Sequence, residues 1–399
     1  MRNMMAAARR MMEIYPDTAI LDADDTFAGL DLYCRQHAAE RVAVFTGTGS
    51  VERAGHWSCF LNGLATLSPA LQRFGGIPAE PDTGTVAAMT DFLRDVRPDL
   101  VIAFGGGSVM DAAKAALIVL ETDLALDECF GSSRIAALRP GQTFRRIVAV
   151  PTTSGTGSEV TPYSNIVNRA RGVKQLISDP ALIPDLALLR ADFTMSMPES
   201  VTLATGCDAL SHLLEGWLNV GQDGKNPAVN SWAETGAALI RAALPRVLRD
   251  GADREARQAM QYAATLGGMT IRFKSTGLPH LASFSWFGRI PHGIATARLL
   301  PEAWRFYLGS PAVKARTLEM AKVFPGKTPE EVIASYEAFL DECKAPRLKD
   351  YPMLDAELMR LTARSAGSNR MKLELAPRPV TPEESEKVLS AMLERALGR

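Results

Sequence analysis

"DLVIAFGGGSVMDAAKAALIVLE" (99–121) decides the fold class of this 399-residue chain. It opens with a short apolar run, Leu100 to Phe104, closed by Gly105, Gly106 and Gly107. Its second part, 109–121, has helical spacing. A buried strand that passes through glycines straight into a helix is half of a βαβ unit, and the pattern recurs on both sides. "RVAVFTGTGS" (41–50) is another apolar run ending in a Gly-rich turn, and "RIVAVPTTSGTGSE" (146–159) a third that enters a Gly/Ser/Thr loop. Segments 56–74 and 84–98 have apolar positions at helical spacing, the second stopped by Pro98. Strands alternating with helices imply a parallel sheet with helices on both faces.

The glycines also bear on function. A backbone without side chains can come close to a ligand, and a helix N-terminus offers free N–H groups and partial positive charge to phosphate. The run is neither GxGxxG nor a Walker loop, and taken alone it reads equally well as a tight strand-to-helix turn. The loop "PTTSGTGSE" (151–159) tips the reading, because two such loops at the carboxyl ends of two strands point to a nucleotide or dinucleotide site.

After about residue 195 the pattern changes. Helical periodicity covers 198–220, 226–249, 253–271, 294–307, 312–323, 328–343, 353–367 and 382–397, and strand-like runs vanish. The expected organisation is an α/β dinucleotide-binding domain over 1–195 and an all-helical domain over 196–399.

Hydrophobic residues make up 47% of the chain, enough for a large core, and the net charge is −1. Without a basic stripe no nucleic-acid partner is expected. No apolar run reaches the length of a membrane span. The five cysteines lack CxxC spacing and read as reduced thiols of a cytoplasmic protein. "MRNMMAAARRMMEIYP" (1–16) lacks the apolar core of a signal peptide and reads as a frayed extension.

Against this background "GCDALSHLLEGWLN" (206–219) stands out. Asp208 and His212 share one face of an otherwise apolar helix. Burying them is costly unless an ion or a mutual hydrogen bond compensates. His280 and His292 follow in "STGLPHLASFSWFGRIPHGIA" (275–295), which also reads as buried. One carboxylate and three imidazoles suit Fe²⁺, Zn²⁺, Ni²⁺ or Co²⁺, and are too nitrogen-rich for Mg²⁺ or Ca²⁺. A single buried histidine is ordinarily a hydrogen-bonded core residue; four such residues together favour a metal. His37 and His56 have no partner spacing and read as structural.

"GGGSVMDAAKA", "PTTSGTGSEVTPYSNI", "DPALIPDLALLRADFTMSMPESVTLATGCDALSHLLEGWLN" and "PHGIATARLLP" resemble, in order and spacing, the iron-containing (group III) alcohol dehydrogenases. The resemblance covers about 40–310, and the helical remainder fits that family's C-terminal domain. It implies NADH or NADPH over the glycine loops and a divalent metal, Fe²⁺ first and Zn²⁺ second, in a cleft between the domains. It implies that Asp208, His212, His280 and His292 are the metal ligands and the catalytic centre. It places Gly47, Gly105, Gly106, Gly107, Ser108, Asp111, Thr152, Thr153, Thr156 and Lys174 along the cofactor. It also implies a homo-oligomer, a dimer by expectation.

Two departures accompany the resemblance. The family's relay histidine, four residues after the third ligand, is here Phe284, and the stretch to His292 is two residues shorter. Many NAD-using members end the first strand with an Asp that binds the ribose 2′-hydroxyl. Gly47 stands there instead, which removes repulsion of a 2′-phosphate and makes NADPH acceptable.

Within the family, "FTGTGSVERAG" and "FKSTGLPHLASF" (273–284) are similar to phosphonoacetaldehyde reductases, which produce 2-hydroxyethylphosphonate in phosphonate metabolism. That similarity implies an anionic aldehyde held by Arg272, Lys274, Ser275 and Thr276, since a phosphonate needs cationic and hydroxyl donors. The alternative for Arg272 and Lys274 is a solvated helix end. The competing functions are a general iron-dependent alcohol dehydrogenase with an uncharged substrate, a lyase like dehydroquinate synthase, and a non-catalytic nucleotide-binding protein.

Overall fold

The computed structural model describes residues 1–22, 26–64, 70–367 and 369–398. The strands are β1 (Ala19–Leu21), β2 (Arg41–Gly47), β3 (Ala70–Ile77), β4 (Leu100–Gly105), β5 (Gly131–Ser132), β6 (Arg146–Pro151), β7 (Tyr163–Asn168), β8 (Val173–Ser178) and β9 (Leu186–Leu188). Six form one parallel sheet in the order β1-β9-β6-β4-β2-β3. The apolar runs are continuous because both faces are covered. Ala43, Phe45, Val101, Ala103, Ile147 and Ala149 lie in the core that includes helices Thr83–Val96 and Gly107–Thr122. Their neighbours Val42, Val44, Leu100, Ile102, Phe104 and Val148 lie in a second core with Leu30, Phe60 and Phe193.

Topology marks one place on this sheet. β2 pairs with β3 on one side and β4 on the other. The chain leaves β2 outward to β3, then returns across it to β4, so its direction reverses between β2 and β4. Ligands of open α/β sheets bind at the carboxyl ends of strands at such a point, and those ends are Gly47 and Gly105.

Two expectations are corrected. Segment 56–74 is not one helix: a short helix, His56–Gly63, is followed by β3, whose mixed exposure along "ALQRFGGI" hides its period. Residues 65–69 of that reading lie outside the described residues. The N-terminal stretch is not frayed but forms the helix Arg2–Glu13, with Arg2 paired to Glu255 at 3.1 Å. Outside the main sheet, β5, β8 and β7 make a small sheet with a β7–β8 antiparallel pair, which the sequence reading did not anticipate.

The chain divides into two compact units, Arg10–Met197 and Pro198–Arg399 with Met1–Arg9. The first nine residues therefore belong with the helical unit, unlike the expected 1–195 and 196–399 division. Among the described residues that unit contains no strand. Helices Glu199–Leu218, Val229–Arg249, Arg254–Phe273 and His292–Tyr307 pack against one another at its centre. Gly293 shows how closely. A Cβ there would overlap the Ala204 carbonyl oxygen and stand 2.6 Å from the Asp208 nitrogen. Only glycine lets the start of helix His292–Tyr307 lie against helix Glu199–Leu218. Among the described residues no helix is long and apolar enough to cross a membrane, and all five cysteines are free thiols.

Candidate functional site

Helix Glu199–Leu218 is buried almost throughout its second half, and it carries Asp208 and His212 inward. The short helix Leu278–Ser283 supplies His280, and His292 opens the helix that Gly293 allows to approach. Ligand atoms of Asp208, His212 and His280 all lie within 4.8 Å of one another. Three imidazole Nε2 atoms face one carboxylate oxygen, Asp208 Oδ1: His280 and His292 at 3.6 Å and His212 at 3.8 Å. These separations are too long for hydrogen bonds. Asp208 Oδ1 and His280 Nε2 are buried with no hydrogen-bond partner, an arrangement that costs free energy in an apolar interior. Donors held at about 2.1 Å from one tetrahedral ion stand roughly 3.4 Å apart, close to the spacing observed. The donor set fits a divalent transition metal.

A second carboxylate supports this cluster. Glu215 follows His212 by three residues on the same helix face and is 1% exposed. Its Oε1 lies 2.5 Å from His280 Nδ1, and its Oε2 accepts the Gly277 N–H at 2.6 Å. This fixes the His280 ring so that Nε2 points at Asp208, the usual carboxylate–histidine–metal support. Burial alone would push His280 down, but Glu215 and Asp208 outweigh it and hold the imidazole up at about 9. Burial likewise pushes Asp208 up, and the three histidines overcome it and hold the carboxyl well below the usual range. Such a field favours positive charge at the centre. Phe284, at the relay position, lies nearly parallel to His292 with ring centres 6.0 Å apart. Ser283 Oγ is 3.2 Å from His292 Nδ1.

In the α/β unit the two loops meet. Gly105 ends β4 and accepts the Thr152 N–H at 2.9 Å. A Cβ on Gly107 would stand 2.6 Å from Thr156, and one on Gly106 would stand 3.2 Å from Thr153. The glycines thus let the threonine loop close over the start of helix Gly107–Thr122. Gly106, Ser108, Thr153 and Thr156 are half-buried and can face a ligand; Thr152 is buried. Ser108 Oγ accepts the Glu80 N–H at 3.2 Å, and Lys174 lies 3.6 Å from Glu80. Gly47 is half-buried, and a Cβ there would meet its neighbours at an ordinary 3.6 Å. A Cβ at this position is therefore sterically tolerated.

Asp111, expected along the cofactor, is engaged within the protein. It is half-buried, with Oδ1 accepting from Ser158 Oγ at 2.8 Å and Oδ2 from the Asn165 N–H at 2.9 Å. Burial raises its carboxyl despite nearby Lys114. It anchors the second loop and β7 to the helix. Lys274 departs from expectation as well. Fully buried, its ammonium donates to Asp223 and, at 2.6 Å, to Asn230 Oδ1. Asp223 also holds Arg316 at 2.7 Å. Lys274 belongs to an internal ion pair, not to a free anion contact. Arg272 is half-buried with its guanidinium 5.2 Å from the Phe273 ring centre. Ser275 Oγ donates to the Thr276 carbonyl at 3.1 Å. Thr276 Oγ1 accepts from Lys372 at 2.6 Å.

Sequence reasoning missed Glu215 and Lys372. Glu215 had a signal, a carboxylate seven residues after Asp208 on a buried face. Lys372 had none, being 96 residues from its partner.

Each unit thus carries a candidate site of its own, and both halves of the chain match known families. Residues 16–191 match the family described as iron-containing alcohol dehydrogenase, and residues 202–393 match the Fe-containing alcohol dehydrogenase family, C-terminal. The chain is 36% identical over 259 residues to the probable alcohol dehydrogenase EutG of Salmonella typhimurium. That alignment covers 64% of this chain and 63% of EutG, so the chain spans less than two thirds of this relative's length. The solved iron-containing alcohol dehydrogenase of Thermococcus thioreducens superposes with a TM-score of 0.86 at 25% identity, covering 96% of this chain and 99% of that one. A sulfoacetaldehyde reductase from Bifidobacterium kashiwanohense, solved in complex with NAD⁺, gives 0.81 at 25% identity, covering 96% and 98%. Fold, motif order and both matched segments agree: the chain belongs to the iron-containing alcohol dehydrogenase family.

Proposed function

We propose that this protein reduces a small aldehyde to its alcohol with NADPH or NADH and a divalent metal, Fe²⁺ before Zn²⁺. We further propose that the aldehyde is anionic, phosphonoacetaldehyde being the first candidate and 2-hydroxyethylphosphonate the product. The observation that carries the reaction class is the unpartnered Asp208 Oδ1 faced by three imidazole nitrogens. When bound, the ion would polarise the carbonyl as a Lewis acid and the reduced nicotinamide would supply hydride.

This chain's residues do the rest. Asp208, His212, His280 and His292 would hold the ion, and the Glu215 contact at 2.5 Å would keep His280 in the ligating tautomer. Gly105, Gly106, Gly107 and Ser108, with Thr152, Thr153 and Thr156, would cradle the dinucleotide phosphates at a helix N-terminus. Lys174 would complete that wall, and Gly47 would present no carboxylate to repel a 2′-phosphate. Phe284, nearly parallel to the His292 ring at 6.0 Å, carries no transferable proton, so the proton that completes the alcohol would come from water or a hydroxyl.

The anionic substrate is supported by the 272–276 segment and by a structural neighbour that is a sulfoacetaldehyde reductase. The engagement of Lys274 with Asp223 favours the second reading, an uncharged aldehyde. The deciding measurement is NADPH oxidation by Fe²⁺-loaded enzyme with phosphonoacetaldehyde and with butyraldehyde. A preference of about a hundredfold, roughly 2.7 kcal/mol, is expected for the anion; equal kcat/KM would leave the general alcohol dehydrogenase.

A further inference from the structure

The anionic reading needs a cation beside the metal centre, and Lys274 is already neutralised within the protein. Lys372 is not. It sits on the short helix Arg370–Glu374, half-buried, and its ammonium donates to Thr276 Oγ1 at 2.6 Å and to the Thr276 carbonyl at 3.3 Å. Among the described residues no carboxylate forms an ion pair with it. The contacts lead directly to the centre. Thr276 precedes Gly277, whose N–H donates to Glu215, and Glu215 holds His280. Helix Arg370–Glu374 also packs against helix Leu278–Ser283, which carries His280. Burial pushes the Lys372 ammonium down to about 8, with Glu215 opposing. A half-buried cation left without a counter-ion is costly, and an anion arriving with the substrate removes the cost.

We propose that Lys372, together with the Thr276 hydroxyl, is the contact that recognises the negatively charged head group of the substrate. The inference rests on the anionic-aldehyde reading and names the residue that would carry it. The geometry suits the chemistry. A phosphonate or sulfonate two bonds from the carbonyl stays close to whatever holds that carbonyl, so its cation must lie near the ligands themselves. An ammonium supplies a point charge with three donors, and the hydroxyl adds a hydrogen bond to an anionic oxygen.

The test compares kcat/KM for phosphonoacetaldehyde and propionaldehyde in wild type, Lys372→Met, Lys372→Arg and Lys274→Met, with thermal melts to establish folding. Calorimetric titration of wild type and Lys372→Met with methylphosphonate gives a readout independent of turnover. In Lys372→Met the charged-to-neutral ratio should fall about a hundredfold and methylphosphonate binding should vanish, with Lys372→Arg recovering part of both. Lys274→Met should lower the melting temperature and affect both aldehydes alike. If wild type prefers the charged aldehyde and Lys372→Met keeps that preference, the Lys372 assignment is overturned and the anionic reading stands. If wild type shows no preference and binds no methylphosphonate, the anionic reading itself fails and this inference falls with it.

Discussion

The two candidate sites, one in each unit, are built in opposite ways. In the α/β unit the polar side chains near the glycine loop are largely engaged with the protein: Asp111 with Ser158 and Asn165, Ser108 with Glu80, Thr156 with the Ser158 N–H. What remains for a ligand there is mostly backbone and space. In the helical unit the reverse holds. The backbone is committed to helices, and two buried side-chain atoms, Asp208 Oδ1 and His280 Nε2, have no hydrogen-bond partner. The first design suits a large ligand that many weak backbone contacts can hold, and the second suits a point charge. Unsatisfied side-chain atoms cluster at Asp208 and His280, whereas in the 151–159 loop Ser154 Oγ stands buried and unsatisfied by itself.

Substitutions should separate the two designs. The largest effect is expected from Asp208→Asn, which leaves the shape but removes the charge at the shared oxygen. Bound metal should disappear by elemental analysis and turnover should fall on the order of a thousandfold, while NADPH binding measured by fluorescence persists. Metal retained at full stoichiometry would refute the ligand role. Glu215→Gln comes next. Metal affinity should weaken about 10–100-fold, the usual cost of losing such a support; an unchanged dissociation constant would show that His280 is held by packing alone.

Gly107→Ala acts on the other half. Its methyl group would meet Thr156 at 2.6 Å, so the loop must move. KM for the nucleotide should rise roughly tenfold with metal content unaltered. Loss of metal in that variant would erase the distinction drawn above. The smallest effect belongs to Gly47→Asp, which fits sterically. It should shift the NADPH-to-NADH ratio of kcat/KM several-fold toward NADH by repelling the 2′-phosphate, and no shift would place the ribose elsewhere.

Much of this was legible in the chain itself, for identifiable reasons. β2, β4 and β6 are buried on both faces, so their apolar runs are continuous and each ends at a glycine or small-residue loop. Asp208 and His212 are legible because helical spacing places them together. β3 escaped because its side chains are only partly covered, and β7 and β8 because a small sheet needs little apolar patterning. The 272–276 segment shows the sharper limit. Its composition does suggest anion binding, but whether a lysine is available depends on partners that local pattern cannot reveal. Lys274 finds Asp223 and Asn230 51 and 44 residues away, whereas Lys372 arrives from 96 residues downstream.

The bare backbone at Gly293 has a consequence for biogenesis. His292 reaches Asp208 only when helix His292–Tyr307 lies directly against helix Glu199–Leu218, with no side chain intervening. Chains whose helices settle even slightly apart therefore cannot assemble the complete ligand set. A Gly293→Ala chain should therefore lose metal affinity although every proposed ligand is still present.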